Sequence, residues 1–242
     1  MVFFMDLFGT AISDWLTGSH DPLFIERDDG YVDEEDLDSY ISTIDSFPHC
    51  EVAALALAKG RVLDMGLGPG RVSLHLQEMG LETIGVDISD HMLEVARRRG
   101  VRNAVKMSMC DLRFPRGHFQ TAIAFGNNFG LCGTPEGVMS MLLRLRDIVS
   151  DDGVFLAQSI DPLNTTRQEH TKYHEKNRAR GRMPGQVRLR FKYRGMADDW
   201  FDLLMVTPAE MKMLAERTGW RVSETFSRPD EEISYVSVLR KA

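Results

Sequence analysis

Hydrophobic and polar positions alternate along this chain in two different periods. Through residues 61–159, short apolar runs alternate with segments whose apolar residues recur at helical spacing. Strands are predicted at residues 61–64, 82–86, 103–108, 119–125 and 154–159. The segment 71–79 carries Val72, Leu76 and Met79 on one stripe, and Gly80 supplies its C-terminal cap. Ser89 caps a second helix that turns Met92, Leu93 and Ala96 inward and ends at Gly100. Thr134 and Pro135 open a third, with Val138, Met141, Leu142, Leu145, Ile148 and Val149 as its stripe. Asp151-Asp152-Gly153 is read as the turn into the last of these strands.

The flanks differ. Residues 3–16 read as an amphipathic helix with Phe4, Phe8, Ile12 and Trp15 on one face and Leu7 and Ala11 beside them. Residues 19–36 are acidic and rich in turn formers, and are expected to be a loop; residues 49–58 form a helix feeding the first strand, with Gly60 at its end. Beyond the fifth strand, 161–184 is polar. Residues 185–194 then alternate with period two: Val187, Leu189, Phe191 and Tyr193 face one way, Arg188, Arg190, Lys192 and Arg194 the other. With a turn at 195–199 and a returning strand at 200–206, this is an extra antiparallel hairpin with one apolar and one cationic face. Thr207-Pro208-Ala209-Glu210 is a capping box with Pro at the first helical position, and the helix runs to about residue 218. Two final strands, 220–226 and 233–239, are joined by a polar loop.

The chemistry concentrates at Val62-Leu63-Asp64-Met65-Gly66-Leu67-Gly68-Pro69-Gly70. An apolar strand end, an acid and alternate glycines lead into a helix, which is the nucleotide-binding corner of an open α/β sheet. Glycine lets the backbone turn sharply and lets a ligand lie against it. Asp64 argues against a dinucleotide, because a carboxylate at that turn repels pyrophosphate and suits a cationic ligand. Asp87 closes the next strand, where ribose hydroxyls are gripped.

At these residues the chain resembles the class I S-adenosylmethionine-dependent methyltransferases, whose first motif reads Asp-x-Gly-x-Gly-x-Gly; Asp64, Gly66, Gly68 and Gly70 match it in full. The resemblance runs to about residue 159 and resumes from residue 207. It implies a seven-stranded, mostly parallel Rossmann-like α/β sheet with an antiparallel C-terminal hairpin and helices on both faces. To this are added an N-terminal helical lid and the β-hairpin inserted after the fifth strand. One domain is expected over 1–242: a lid (1–50), a cofactor-binding core (51–160), the inserted cap (161–206) and the closing helix and hairpin (207–242). The implied cofactor is S-adenosyl-L-methionine, held by Asp64, Gly66, Leu67, Gly68, Gly70 and Asp87. Ile88 is an apolar contact for adenine and Met92 a second candidate contact. The resemblance also places Asp111 as acceptor for the adenine amino group, with Cys110 and Leu112 beside it, although the Cys110 thiol itself reads as buried filler. Gly126-Asn127-Asn128-Phe129-Gly130 follows the fourth strand, where the transferred methyl should sit. Gly126 and Asn127 are assigned to the cofactor there. This loop lacks the Asn-Pro-Pro-Tyr used to methylate exocyclic amines of nucleobases.

Composition narrows the partners. A 242-residue chain that is 43% hydrophobic suits one good-sized core. A net charge of −7 argues against a general nucleic-acid binder. The longest clean apolar run, 52–58, is far too short to span a bilayer. The N-terminus lacks a basic region and is interrupted by Asp6 and Asp14, so no signal peptide is read. The 3 cysteines, Cys50, Cys110 and Cys132, show neither a zinc pattern nor a readable disulfide framework, and a reducing cytoplasm is the expected setting. No metal is expected, and the chain is taken as a monomer or homodimer.

A small-molecule acceptor is expected, because lids over the site leave little room for a polymer. Methylation of RNA or protein and non-catalytic cofactor binding stay as alternatives. Asn128, Tyr40, Tyr173, Arg188 and Arg190 are the candidate acceptor-binding residues, the arginines suiting an anionic acceptor. If a general base is needed, His174 and His170 are the candidates, with Tyr31 behind them.

Overall fold

The computed structural model describes residues 6–228 and 233–242. Phe4 and part of the polar loop between the final strands lie outside the described residues. In chain order the elements are α1 (Leu7–Leu16), β1 (Leu23–Arg27), β2 (Val32–Glu34), α2 (Leu37–Ile41), α3 (His49–Leu55), β3 (Arg61–Met65), α4 (Arg71–Glu78), β4 (Glu82–Asp87), α5 (Asp90–Arg99) and β5 (Ala104–Lys106). There follow β6 (Phe119–Ala124), α6 (Pro135–Ile148), β7 (Val149–Ile160), α7 (Gln168–Ala179), β8 (Gln186–Tyr193), β9 (Met196–Ala197), β10 (Phe201–Leu204), α8 (Pro208–Glu216), β11 (Trp220–Ser227) and β12 (Ser234–Lys241). Single 3-10 turns lie at Ile44–Ser46 and Asn128–Gly130.

The main sheet has seven strands in the order β11-β12-β7-β6-β3-β4-β5. Strands β3 to β7 pair in parallel, while β12 runs antiparallel to β7 and β11 to β12. Because strand side chains alternate, each strand feeds two cores. Leu63, Met65, Ala122, Ala124, Phe155 and Ala157 pack with Val138, Met141 and Leu142 of α6 and Met211 and Leu214 of α8. Val62, Ile123, Val154 and Leu156 pack with Ala54 and Leu55 of α3 and Val72 and Leu76 of α4. Trp220 is fully buried, and its indole N–H reaches the Leu142 carbonyl at 3.0 Å. The expected sheet, with its closing hairpin, is therefore present. Residues 151–153, read as a turn, lie inside the long strand β7, whose pairing with β6 shifts register between Phe119 and Thr121.

The flanks depart further from expectation. Residues 19–36 are not a loop: β1 and β2 form a hairpin, and β1 pairs with β8. The inserted hairpin is thus part of a five-stranded antiparallel sheet, order β10-β8-β1-β2, with β9 also on β8. Strand β2 is exposed throughout, so no apolar alternation marks it; it is a strand because β1 offers it a pairing edge. The polar segment 161–184 contains α7, whose buried residues are only Tyr173, His174 and Asn177, too few to make an apolar stripe. Leu23, Ile25 and Arg27 lie opposite Tyr193, Phe191 and Leu189, so they share that sheet's buried face. Tyr173 covers Val187 and Leu189 at one end. At the other, Leu7, Ala11 and Ile12 of α1 pack between Tyr193 and Met92 and Val95 of α5. Helix α1 therefore fastens the second sheet to the first.

Candidate functional site

Strand β3 ends in a backbone that only glycine tolerates. Gly66, Gly68 and Gly70 have φ of 76°, 52° and 88°, in the left-handed region. A Cβ on Gly66 would lie 2.3 Å from the Asn128 amide nitrogen, whereas nothing stands within 4 Å of one built on Gly68. Asp64 does not line this loop as a surface charge. It is 3% exposed and accepts a 2.7 Å hydrogen bond from the Ser73 hydroxyl on α4. Burial pushes its pKa up to about 7, against the opposing pull of Ser73 and of Arg71. Strand alternation turns Asp64 toward α4, so its influence on a ligand comes from beneath the loop. Leu67 is also buried and fills the space beside Gly85, leaving only backbone to a ligand.

At the end of β4, Asp87 accepts the Gly68 N–H at 2.8 Å and the Ser89 N–H at 2.9 Å. Desolvation raises its pKa, and those two amides hold it back. Ile88, next in the chain, is 69% exposed. Ser89 caps α5 by accepting from the Met92 N–H, and its hydroxyl donates to the Asp6 carboxylate. Asp6 in turn caps α1 through the Gly9 N–H at 2.9 Å, and Asp198 accepts the Leu7 N–H at 3.2 Å. Burial raises Asp198 to about 6, helped by its neighbours Asp6 and Asp199. The start of α1 is thus tied to the residues that follow Asp87. Met92 is 2% exposed beneath α1, so it belongs to the core and not to an adenine contact.

The loop after β6 is braced on several sides. Asn127 is left-handed, and its carboxamide oxygen accepts from the Ile160 N–H at 3.1 Å and the Ser159 hydroxyl at 3.2 Å. The Asn128 amide donates to the Met65 and Gly66 carbonyls, each at 3.1 Å. Both side chains hold backbone in place. The Gly126 N–H donates to the buried Gln158 side chain. Gly130 lies against the Leu204 backbone, where no Cβ fits. Cys110, expected to be buried filler, is exposed and forms a disulfide with Cys132, their Cα atoms 5.8 Å apart. Its partner is 22 residues away and on a loop from a different strand, so spacing alone could not reveal the pair. Asp111 is exposed and bonded to Arg113 at 2.6 Å, and Leu112 is core, 2% exposed, with its carbonyl held by Arg144 at 2.7 Å.

A methyltransferase domain family matches residues 62–153. A solved S-adenosylmethionine-dependent methyltransferase from Bacteroides fragilis, in complex with S-adenosyl-L-homocysteine, is 27% identical to this chain. It superposes with a TM-score of 0.81 over 97% of this chain and 94% of its own. The chain's central domain and its whole fold are those of the class I S-adenosylmethionine-dependent methyltransferases. Curated relatives match more locally. The demethylmenaquinone methyltransferase of Thermus thermophilus is 36% identical over 81 residues, 30% of this chain and 37% of that protein. Bacillus subtilis YqeM is 24% identical over 102 residues, 40% of this chain and 41% of its own. The chain thus spans less than half the length of those relatives.

Apart from Asn128, the expected base and acceptor residues gather elsewhere, on and around the second sheet. Arg27, 5% exposed, pairs with Asp29 at 2.8 Å, lies 3.0 Å from His170 Nδ1, and stacks over Tyr31 and Tyr173 at 4.9 and 4.2 Å. Tyr31 donates to Asp33 and accepts from Arg167, and Tyr173 donates to Asp28 at 2.7 Å. Desolvation and the nearby Arg27 and Arg167 lower the pKa of His170; burial, then His170 and Arg178, lower that of His174. Tyr40 donates to Glu35 at 2.9 Å and meets the Phe8 ring edge-on. The cationic face is largely neutralised. Arg190 bonds Glu26 at 2.7 Å and lies over Trp200, Lys192 is 3.8 Å from Glu26, and Arg194 pairs with Asp14 and Asp21; Arg188 is exposed. Sequence reading missed Ser73, Asp6, Asp198 and Gln158, and found Ser89 only as a helix cap. Of these Asp6 carried a legible signal, as an N-cap residue ahead of an apolar stripe.

Proposed function

We propose that the protein binds S-adenosyl-L-methionine at the ends of β3 and β4 and moves its methyl group to a small-molecule acceptor. The observation that carries this reading is the near full-length likeness to a relative crystallised with S-adenosyl-L-homocysteine. The local chemistry fits. Open space stands over Gly68 and Gly126, so bare backbone can meet a ligand. Asp87 can accept from ribose hydroxyls while Gly68 and Ser89 hold its orientation. The exposed Ile88 offers apolar surface to adenine, and Asp111 can take its amino group. Asp64, beneath the glycine loop, adds negative charge for a cationic ligand once it ionises, above about pH 7.

The bound cofactor would supply the methyl on a sulfonium leaving group. The protein's share is orientation, and holding donor and acceptor at near-attack distance is worth roughly 7–11 kcal/mol. Asn127 and Asn128 contribute by fixing the backbone around the reacting carbon. No general base is assigned, since a neutral amine or thiolate acceptor needs none.

Three features support a small acceptor. Helix α1 and the second sheet are anchored beside the cofactor loops. A net charge of −7 and the pairing of Arg190, Lys192 and Arg194 disfavour a nucleic-acid polymer. The Thermus thermophilus relative is named for demethylmenaquinone. The same pairing weakens the argument for an anionic acceptor, leaving it to the exposed Arg188. The test uses methyl-labelled S-adenosyl-L-methionine with a cell extract split into low- and high-mass fractions. Label should enter the low-mass fraction; label found only in macromolecules, or in neither, would contradict the reading.

A further inference from the structure

The Cys110–Cys132 disulfide stands where nothing in the methyl-transfer chemistry calls for it. Cys110 sits on the turn after β5, which is held by the Cys110 N–H to the Ser108 hydroxyl and the Asp111 N–H to the Ser108 carbonyl. Cys132 lies two residues beyond the 3-10 turn Asn128–Gly130. Strands β5 and β6 are not neighbours; β3 and β4, which carry the glycine loop and Asp87, lie between them. The bridge therefore ties together two loops whose strands flank the cofactor corner. Its two ends are held unequally. The loop after β6 is fixed independently by Asn127, Asn128 and the contacts of Gly130 and Gly133 with β10. Residues 108–111 have their own turn hydrogen bonds, the exposed Asp111–Arg113 pair and one buried side chain, Met109; the next backbone tie is at Leu112, whose carbonyl Arg144 holds.

We propose that this disulfide is a positioning element of the cofactor site: it clamps the turn bearing Asp111 to the braced loop after β6, and thiol exchange at the exposed Cys110 releases it. The inference rests on the cofactor reading above. Exchange with a dithiol is balanced: two electrons and two protons pass to the bridge, giving two cysteine thiols and the oxidised dithiol. A freed turn must then be ordered again whenever cofactor binds, and ordering backbone opposes binding.

Titration calorimetry with S-adenosyl-L-homocysteine tests this on the whole chain, before and after dithiothreitol and after reoxidation. Alkylation of the unfolded chain reports the thiol state, with one label expected when oxidised and three when reduced. Reduction should weaken binding about tenfold, on the scale of coupled sites, and reoxidation should restore it. In turnover assays, cofactor KM should rise with kcat nearly unchanged. Cys110→Ser and Cys132→Ser should show the weak value in both conditions. Equal affinity in the oxidised and verified reduced protein, or three free thiols in a tightly binding protein, would overturn the clamp alone. No binding in either state would overturn the cofactor reading along with it.

Discussion

Asp64 and Asp87 both end strands of the parallel sheet, yet their surroundings set them different tasks. Asp87 is only partly buried and is oriented by two amides. Asp87→Ala should weaken cofactor binding by about 1.5–3 kcal/mol, the scale for hydrogen bonds to a charged group; calorimetry on a folded variant with unchanged affinity would remove it from the site. Asp64 is enclosed, and burial lifts it to about 7. A carboxyl with a raised folded pKa holds its proton in the native state after the unfolded chain has released it. Native stability therefore falls as pH rises from the ordinary carboxylate range to about 7, and levels off above. In urea titrations across that window, wild type should lose stability relative to Asp64→Asn. Parallel curves would mean that Asp64 is not held in this way.

At the scale of elements, α1 is the piece whose role the structure sharpens most. It is sandwiched between α5 and the second sheet, and Ile12 is fully buried there. Ile12→Ala should loosen this docking by about 2–5 kcal/mol, the cost of such a truncation in a packed core. Amide hydrogen exchange should rise in α1 while β3 and β6 stay protected; unchanged protection of α1 would contradict its place in the packing. Helix α8 rests on the capping box of Thr207 and Glu210, both halves of which are formed. Thr207→Ala should cost about 0.5–2 kcal/mol, read as a lower denaturant midpoint. The core elements were legible because each buries an apolar stripe or run of its own. Strands β1 and β2 and helix α7 were not, because β1 is held by long-range pairing with β8, β2 by the edge of β1, and α7 by three buried side chains. The same division runs through the site. Glycine spacing marked the loop and Asp87, whereas the tie between Asp6 and Ser89, and that between Cys110 and Cys132, depend on which loops the fold brings together.

At the scale of the molecule, two sheets divide the work. The parallel sheet presents bare glycine backbone beside a carboxylate, and the antiparallel sheet, carried on α1 and β10, stands beside the loops that leave it. Among the described residues no helix is long and apolar enough to cross a membrane. The central claim is that the glycine corner between Asp64 and Asp87 accepts a sulfonium-bearing nucleoside and rejects a pyrophosphate. Titration calorimetry of the oxidised protein with S-adenosyl-L-homocysteine and, separately, with a nicotinamide dinucleotide tests this most directly. The account predicts one equivalent of S-adenosyl-L-homocysteine bound, weakened by Asp87→Ala, and no heat from the dinucleotide; saturable binding of the dinucleotide at this corner would contradict it.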